Sequence, residues 1–407
     1  MRVLFINDGS LLNPILRSQG IPQLLYLAGK GYDVYMLSVD PREEKNKSSD
    51  RDKLIDQYGD KIHFLFYHPF SSKILKVSIQ ILVFGQLKVF YYIVRHRINI
   101  VHARSYLPAI LGLFAKMFLG TKFIFDMRGL MVDEYISKGI WVDSSVLVKV
   151  MRFFEKRCIL SADEIVVVSE KFREYVLQLP FVRMRNPRLS IVTIPNSVDL
   201  DRFDAARDSR IGLGKKLNVE GRIVLVYSGS LTSWQCFSEA VHLFSLCRRI
   251  DPRFFLLIVT YSEATELLCV IAQYGIGHSD YLIVEAGAED VPKYLALGRI
   301  GILFRKEEVL NTVSCPIKFG EYLAAGLPVL VSRGIGDTEN IVKENGVGIV
   351  SASLSESALQ NMSRTLVEYL SEDHKGIDIA CRAVASRYFS LESASEKYAE
   401  IYRRVTI

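Results

Sequence analysis

Short apolar runs alternate with helical patterns along the whole chain, and the alternation occurs twice. In the first half, runs at 3–6, 34–39, 62–66, 100–102, 123–125, 165–168 and 191–194 read as strands. A polar stretch at 202–220 reads as a linker. The pattern then restarts, with strands at 223–227, 254–259, 282–284, 300–304 and 328–331. Most of these runs are apolar throughout, as in strands covered on both faces. Strand–helix alternation specifies a parallel, doubly wound sheet, so the expectation is an α/β chain with two such domains. At 407 residues, 49% of them hydrophobic, the chain can fill two cores. In doubly wound sheets ligands meet the carboxyl ends of the strands, and that rule selects the loops worth close reading.

Charge is unevenly spread. Residues 1–200 hold 28 Lys and Arg against 19 Asp and Glu, whereas residues 201–407 hold 23 against 26. A basic first half suits an anionic partner, such as a diphosphate-linked acceptor or a membrane surface. No nucleic-acid motif is present, so nucleic acid ranks last among partners. The six cysteines are scattered without any Cys-x-x-Cys or Cys/His cluster, which argues against zinc and against a disulfide framework. Reduced thiols and the absence of a signal-peptide pattern before the first strand make the cytoplasm the expected compartment.

The richest stretch is Ser314-Cys-Pro-Ile-Lys-Phe-Gly-Glu-Tyr-Leu-Ala-Ala-Gly-Leu-Pro-Val-Leu-Val-Ser332. It reads as loop, helix, turn and buried strand. Pro316 suits the first turn of a helix, and Gly326 suits its end, where positive φ is needed. The free amides and partial positive charge of a helix N-terminus attract phosphate. Lys318 adds a full charge in the first turn. Glu321, one turn on, can accept hydrogen bonds from sugar hydroxyls. The plainer alternative is a capped helix with Lys318 and Glu321 as a solvated i, i+3 pair.

This stretch resembles the donor-site signature of glycosyltransferase family 4, in the branch that carries Pro-x-Lys-x-x-Glu-Tyr-Leu-Ala-x-Gly-x-Pro-Val. The type implied is one that assembles bacterial polysaccharide. The family usually has two glutamates here; Glu321 matches the second, which holds the nucleotide ribose, and Ser314 stands at the first. Two further segments are similar to family markers: Ser161-Ala-Asp-Glu-Ile-Val-Val-Val-Ser-Glu, and Ile194-Pro-Asn-Ser-Val-Asp, in which Asn196 and Asp199 form a turn. The resemblance implies the GT-B fold, two Rossmann-like doubly wound domains facing a cleft. The expected boundaries are an acceptor-binding domain over 1–205, a nucleotide-sugar-binding domain over 206–388, and a helix over 389–407 that crosses back to the first domain.

Further candidates follow from the loops at strand ends. Gly9 lets the backbone pass close to a ligand, and the family has a comparable glycine loop facing the donor phosphates and acceptor. Arg17 could meet an anion or sugar hydroxyls. The loop lacks Gly-x-Gly-x-x-Gly, so a dinucleotide oxidoreductase has no fingerprint. His102 and Arg104 lie at one carboxyl edge, Asp126 and Arg128 at the next. Many family members carry histidines near these places, and Arg104 and Arg128 stand in for them as a clamp for a diphosphate. Asp126 could accept the proton of the acceptor hydroxyl or simply orient Arg128. Past residue 227, Gly229 and Ser230 offer amides and a hydroxyl. The Arg and Lys that the family usually has in this loop are absent, Ser230 and a residue near Cys236 standing in their places. Anion charge then falls to Lys318 and Arg305. The segment from Val284 to Glu289 looks like the family's base-binding segment.

The apolar stretch 74–94, interrupted by Lys76 and Lys88, reads as an interfacial helix or an ordinary packed one rather than a membrane span. The resemblance thus implies a retaining, metal-independent glycosyltransferase with no cofactor. Its catalytic residues would be Asp126, Arg128 and Lys318, and domain closure would exclude water. Its partners would be a nucleotide-sugar donor and a glycan or lipid-linked glycan acceptor, with the 74–94 helix as the peripheral membrane contact. A sugar-nucleotide epimerase of the same fold and a non-catalytic sugar-nucleotide binder are the alternatives.

Overall fold

The computed structural model describes residues 1–407 except 8, 14, 40–47, 69–79, 186–188, 233, 373–374 and 407. Its two compact units are Met1–Pro195 with Leu391–Ile407, and Asn196–Ser390.

The first unit is built on a seven-stranded parallel sheet: β1 (Arg2–Asn7), β2 (Asp33–Val39), β3 (Ile62–Tyr67), β4 (Ile100–Arg104), β5 (Lys122–Asp126), β6 (Glu164–Val167) and β7 (Ile191–Thr193). Their order in space is β3-β2-β1-β4-β5-β6-β7. The apolar runs behave as expected of strands covered on both faces: Val3, Leu4, Val101, Phe123, Phe125 and Ile165 are all fully buried. Chain order reverses between β1 and β4, the switch point of the sheet. There Asn7 lies beside Arg104, and Arg104 beside Asp126. The last helix, Leu391–Arg404, packs Tyr398, Ile401 and Tyr402 into the same core as Val3, Phe5 and Ile124.

The second unit carries six parallel strands: β8 (Ile223–Ser228), β9 (Phe254–Val259), β10 (Tyr281–Val284), β11 (Ile300–Leu303), β12 (Val329–Ser332) and β13 (Gly348–Ser351). The order is β10-β9-β8-β11-β12-β13, with the switch between β8 and β11. Helix Ile317–Ala324 lies just before β12; Pro316 stands at its N-cap, one position ahead of the first turn. Helix capping elsewhere follows the residues: Ser145 accepts from the Val148 amide to start helix Val146–Ser161.

Two expectations are corrected. The stretch 202–220 is not a plain linker: helices Leu200–Arg207 and Arg210–Lys216 occupy most of it. Phe203 and Ala206 sink into the core, a pattern masked by the charges around them. Strand β13 went unread because glycines interrupt its short apolar run.

Candidate functional site

In the second unit, the carboxyl ends of β8 and β11 meet the N-terminus of helix Ile317–Ala324. Tyr322 fixes this helix from beneath. Its hydroxyl accepts from the Ser228 amide at 2.7 Å and donates to the Ile302 carbonyl at 3.3 Å. Its ring lies flat on Gly301, where any Cβ would strike it. The next turn of the β8 loop needs glycine: Gly229 has φ +135°, and a Cβ there would overlap Lys318 Nζ.

Lys318 is half-buried and reaches Gln235 Oε1 rather than Glu321, so the solvated Lys318–Glu321 pair does not form. Its nitrogen also lies 5.7 Å from the centre of the Tyr227 ring. Gln235 in turn donates to Ser230 Oγ at 2.9 Å and Thr232 Oγ1 at 3.1 Å. Burial, with the nearby Arg305 charge, pushes the Lys318 ammonium down to about 7.

Arg305 donates through Nη1 to Asn311 Oδ1 and Ser314 Oγ, both at 3.3 Å. Its Nε has no partner among the described residues. Burial lowers its pKa to about 10. Ser314 is therefore a neutral contact to Arg305 where the family pattern has an acid. The Glu321 carboxyl makes no hydrogen bond or ion pair among the described residues, and burial raises its pKa. Lys318 and Arg305 thus lie close enough for their charges to interact, without a carboxylate bonded to either, the electrostatic signature of a place for an anion. The Asn196 turn braces the approach to the helix: Asn196 Nδ2 donates to the Cys315 carbonyl at 2.5 Å. Val284 ends β10, its carbonyl accepting from the Thr260 amide at 2.9 Å. Glu289 is exposed and pairs with Arg202 at 3.5 Å, and the Arg202 charge also acts on Glu321.

In the first unit, Asp126 is fully buried. Tyr398 donates to its Oδ2 at 3.2 Å, His102 Nε2 lies 3.5 Å from the same oxygen, and Arg128 Nη1 donates to Oδ1 at 3.3 Å. Burial opposes its ionisation, yet Arg128, His102 and Arg104 hold the carboxyl well below the usual carboxylate range. His102 is 2% exposed. Its Nδ1 faces the Tyr402 hydroxyl at 2.7 Å, and burial lowers its pKa against the pull of Asp126. Both Asp126 oxygens accept a hydrogen bond, one from Tyr398 and one from Arg128, and neither Asp126 nor His102 reaches the surface.

Arg104 is 5% exposed, and the turn after it is strained: Ser105 has φ +78°, with its amide on the Asp126 carbonyl at 3.0 Å. Gly9 accepts from Ser38 Oγ at 2.8 Å and from Asn7 Nδ2 at 3.2 Å. Arg17 is exposed and without an ion pair among the described residues. Beside β5, Met127, Leu130, Tyr175 and Phe181 line a cavity of about 340 Å³ with Arg152, Glu155 and Lys156.

The profile of Glycosyltransferase Family 4 matches residues 24–202, and that of the Glucosyltransferase 3-like C-terminal domain matches residues 288–393. A glycosyltransferase from Rickettsia africae is 18% identical and superposes with a TM-score of 0.75 over 100% of this chain and 98% of its own. HepE of Anabaena, solved in complex with UDP, is 15% identical with a TM-score of 0.72, covering 99% of this chain and 100% of its own. WaaG, a glycosyltransferase involved in lipopolysaccharide biosynthesis, is 15% identical with a TM-score of 0.69, over 98% and 99%. The matches support the resemblance to glycosyltransferase family 4 that the sequence motifs carry.

It is a glycosyltransferase of the GT-B fold. Among the expected residues of this glycosyltransferase, Gly229, Ser230 and Lys318 come together around Gln235, and Arg305 joins Ser314. Val284 pairs with Val259, whose carbonyl accepts from the Gly229 amide at 2.9 Å. Three residues escaped the sequence reading: Gln235, Arg202 and Tyr398. Gln235 had a signal, since it adjoins Cys236, where the family's second cation was sought. Arg202 was hidden in the supposed linker, and Tyr398 lies in the last helix, far along the chain from Asp126.

Proposed function

We propose that this glycosyltransferase moves a sugar, with retention of anomeric configuration, from a nucleotide diphosphate donor to a lipid-linked glycan acceptor in surface-polysaccharide assembly. It works in the cytoplasm, at the inner face of the plasma membrane, and needs no metal. The observation that carries this reading is the pair Lys318 and Arg305, desolvated and without a carboxylate bonded to either. A diphosphate supplies the missing negative charge. The UDP complex of HepE and the role of WaaG in lipopolysaccharide biosynthesis support a uridine diphosphate sugar and a glycolipid setting.

In this mechanism the amides of Gly229 and of the first turn of helix Ile317–Ala324 meet the diphosphate. Lys318 and Arg305 offset the charge that grows on it as the glycosidic bond breaks, the effect that contributes most in such reactions. Glu321 takes the ribose hydroxyls, and the segment from Val284 to Glu289 holds the base. The acceptor hydroxyl attacks from the same face as the leaving phosphate, which takes its proton. Arg104 and Arg128, held by Asp126, clamp the acceptor's diphosphate, and Arg17 and Gly9 border the same loop edge. The test is a thermal-shift panel of UDP, GDP and CMP sugars. UDP sugars raise the melting temperature, and Lys318→Ala and Glu321→Ala each abolish the rise. An undiminished shift in both variants overturns the site.

A further inference from the structure

The first unit has an apolar face that its own core does not use. Helix Gln86–His96 turns Leu87, Tyr91 and Val94 outward at 63%, 60% and 66% exposure, opposite the buried Val89 and Ile93. These positions share one helical stripe. Helix Tyr106–Leu119 ends in exposed Met117 and Phe118. Helix Val146–Ser161 turns Val146, Val150 and Phe153 outward, again one stripe. The three helices are one surface because aromatic rings join them: Phe90 meets Phe118 at 6.0 Å, Phe114 bridges to Phe118 and Phe154, and Phe154 meets Phe153 at 5.6 Å. An apolar patch of this breadth, on helices already packed beneath, marks an interaction site.

The charge on these helices says what covers it. They hold seven Lys and Arg and one acid, Glu155. That acid is turned to the Tyr106 hydroxyl and Arg152. Lys88, Arg95, Lys149 and Arg157 are exposed and in no ion pair among the described residues. A second copy of this chain would set cation against cation, which disfavours self-association. Exposed aromatic and aliphatic residues among lysines whose stems can lie along an apolar surface match an anionic bilayer. No helix among the described residues is long and apolar enough to cross a membrane, so the face rests on the bilayer.

We infer that the joined outer faces of helices Gln86–His96, Tyr106–Leu119 and Val146–Ser161 dock on an anionic lipid bilayer. This deepens the membrane-side reading above and rests on it for its purpose. The surface is wider than the 74–94 stretch, of which residues 74–79 lie outside the described residues. Helix Val146–Ser161 faces two ways: Val150 and Phe153 outward, Arg152, Glu155 and Lys156 toward the cavity beside β5. A bilayer under the first face brings lipid-borne acceptors to the second.

The experiment is co-sedimentation of the full chain with phosphatidylglycerol–phosphatidylcholine vesicles and with pure phosphatidylcholine vesicles. The chain pellets with the anionic vesicles, less so as salt rises, and stays in solution with the neutral ones. The triple variant Leu87→Glu, Phe118→Glu, Phe153→Glu lowers vesicle affinity at least tenfold. Because all three side chains are exposed, the UDP-dependent thermal shift is unchanged and reports an intact fold. The variant Lys88→Glu, Lys149→Glu, Arg157→Glu weakens anionic binding alone. The inference is overturned if the wild type does not pellet, or if the triple variant pellets like the wild type. It is also overturned if sedimentation velocity shows a dimer that the triple variant dissociates, since a second copy then covers the face. Vesicle binding with no response to any nucleotide sugar would instead strike the donor reading alone.

Discussion

The Asp126 cluster and the Lys318 cluster both gather cations at the carboxyl end of a strand, yet only the first is closed. Asp126 sits among Arg104, Arg128, His102 and Tyr398, accepting from Arg128 and Tyr398 and held ionised by the surrounding positive charge. Lys318 and Arg305 reach only neutral partners, Gln235, Asn311 and Ser314. A buried charge that is matched holds a fold together, and one that is unmatched costs stability until a ligand arrives. The difference sets a matched group of charges against one that lacks a bonded counter-charge.

The largest effect should come from opening the closed cluster. Asp126→Ala leaves the buried Arg104 and the half-buried Arg128 without their carboxylate, and should cost about 3–5 kcal/mol in urea unfolding. A loss below about 1 kcal/mol would mean that Asp126 is not what balances Arg104 and Arg128. Lys318→Ala should do the reverse. Stability stays level or rises slightly, because a desolvated cation is removed, while the transfer rate at saturating donor falls about 10²–10³-fold. A variant that loses stability and keeps its rate would invert the comparison. Tyr398→Phe removes one of the donors to Asp126 and should cost about 1–3 kcal/mol in the same unfolding assay. Its rate per folded molecule should be unchanged, which distinguishes support from chemistry.

Much of this contrast was legible in the residues, and what was not has identifiable causes. Strands such as β1 and β9 announced themselves because both faces are covered and nearly every residue is apolar. The donor-side helix was legible because Pro316, Lys318, Glu321 and Gly326 each have a local reason to stand where they do. The closed cluster was not, since it depends on Tyr398 and Tyr402 arriving from the far end of the chain. Sequence proximity showed Asp126 beside Arg128, but not the Tyr398 hydroxyl that bonds the same carboxylate. Helices Leu200–Arg207 and Arg210–Lys216 were missed for a related reason, their few buried residues being outnumbered by charges.

The central claim is that the Lys318 pocket lacks a counter-charge that a diphosphate provides. With its pKa pushed down to about 7, Lys318 is largely neutral at pH 8 in the free protein. The unfolded chain, with an ordinary lysine, still holds that proton. Stability of the free protein therefore rises with pH between about 7 and the usual lysine value, and bound diphosphate cancels the rise. Calorimetric titration of UDP at pH 8 in two buffers of different ionisation enthalpy measures the proton directly. Uptake of close to one proton in the wild type, and none in Lys318→Met, is the predicted result. A binding enthalpy independent of buffer, with full affinity in both proteins, would contradict the account.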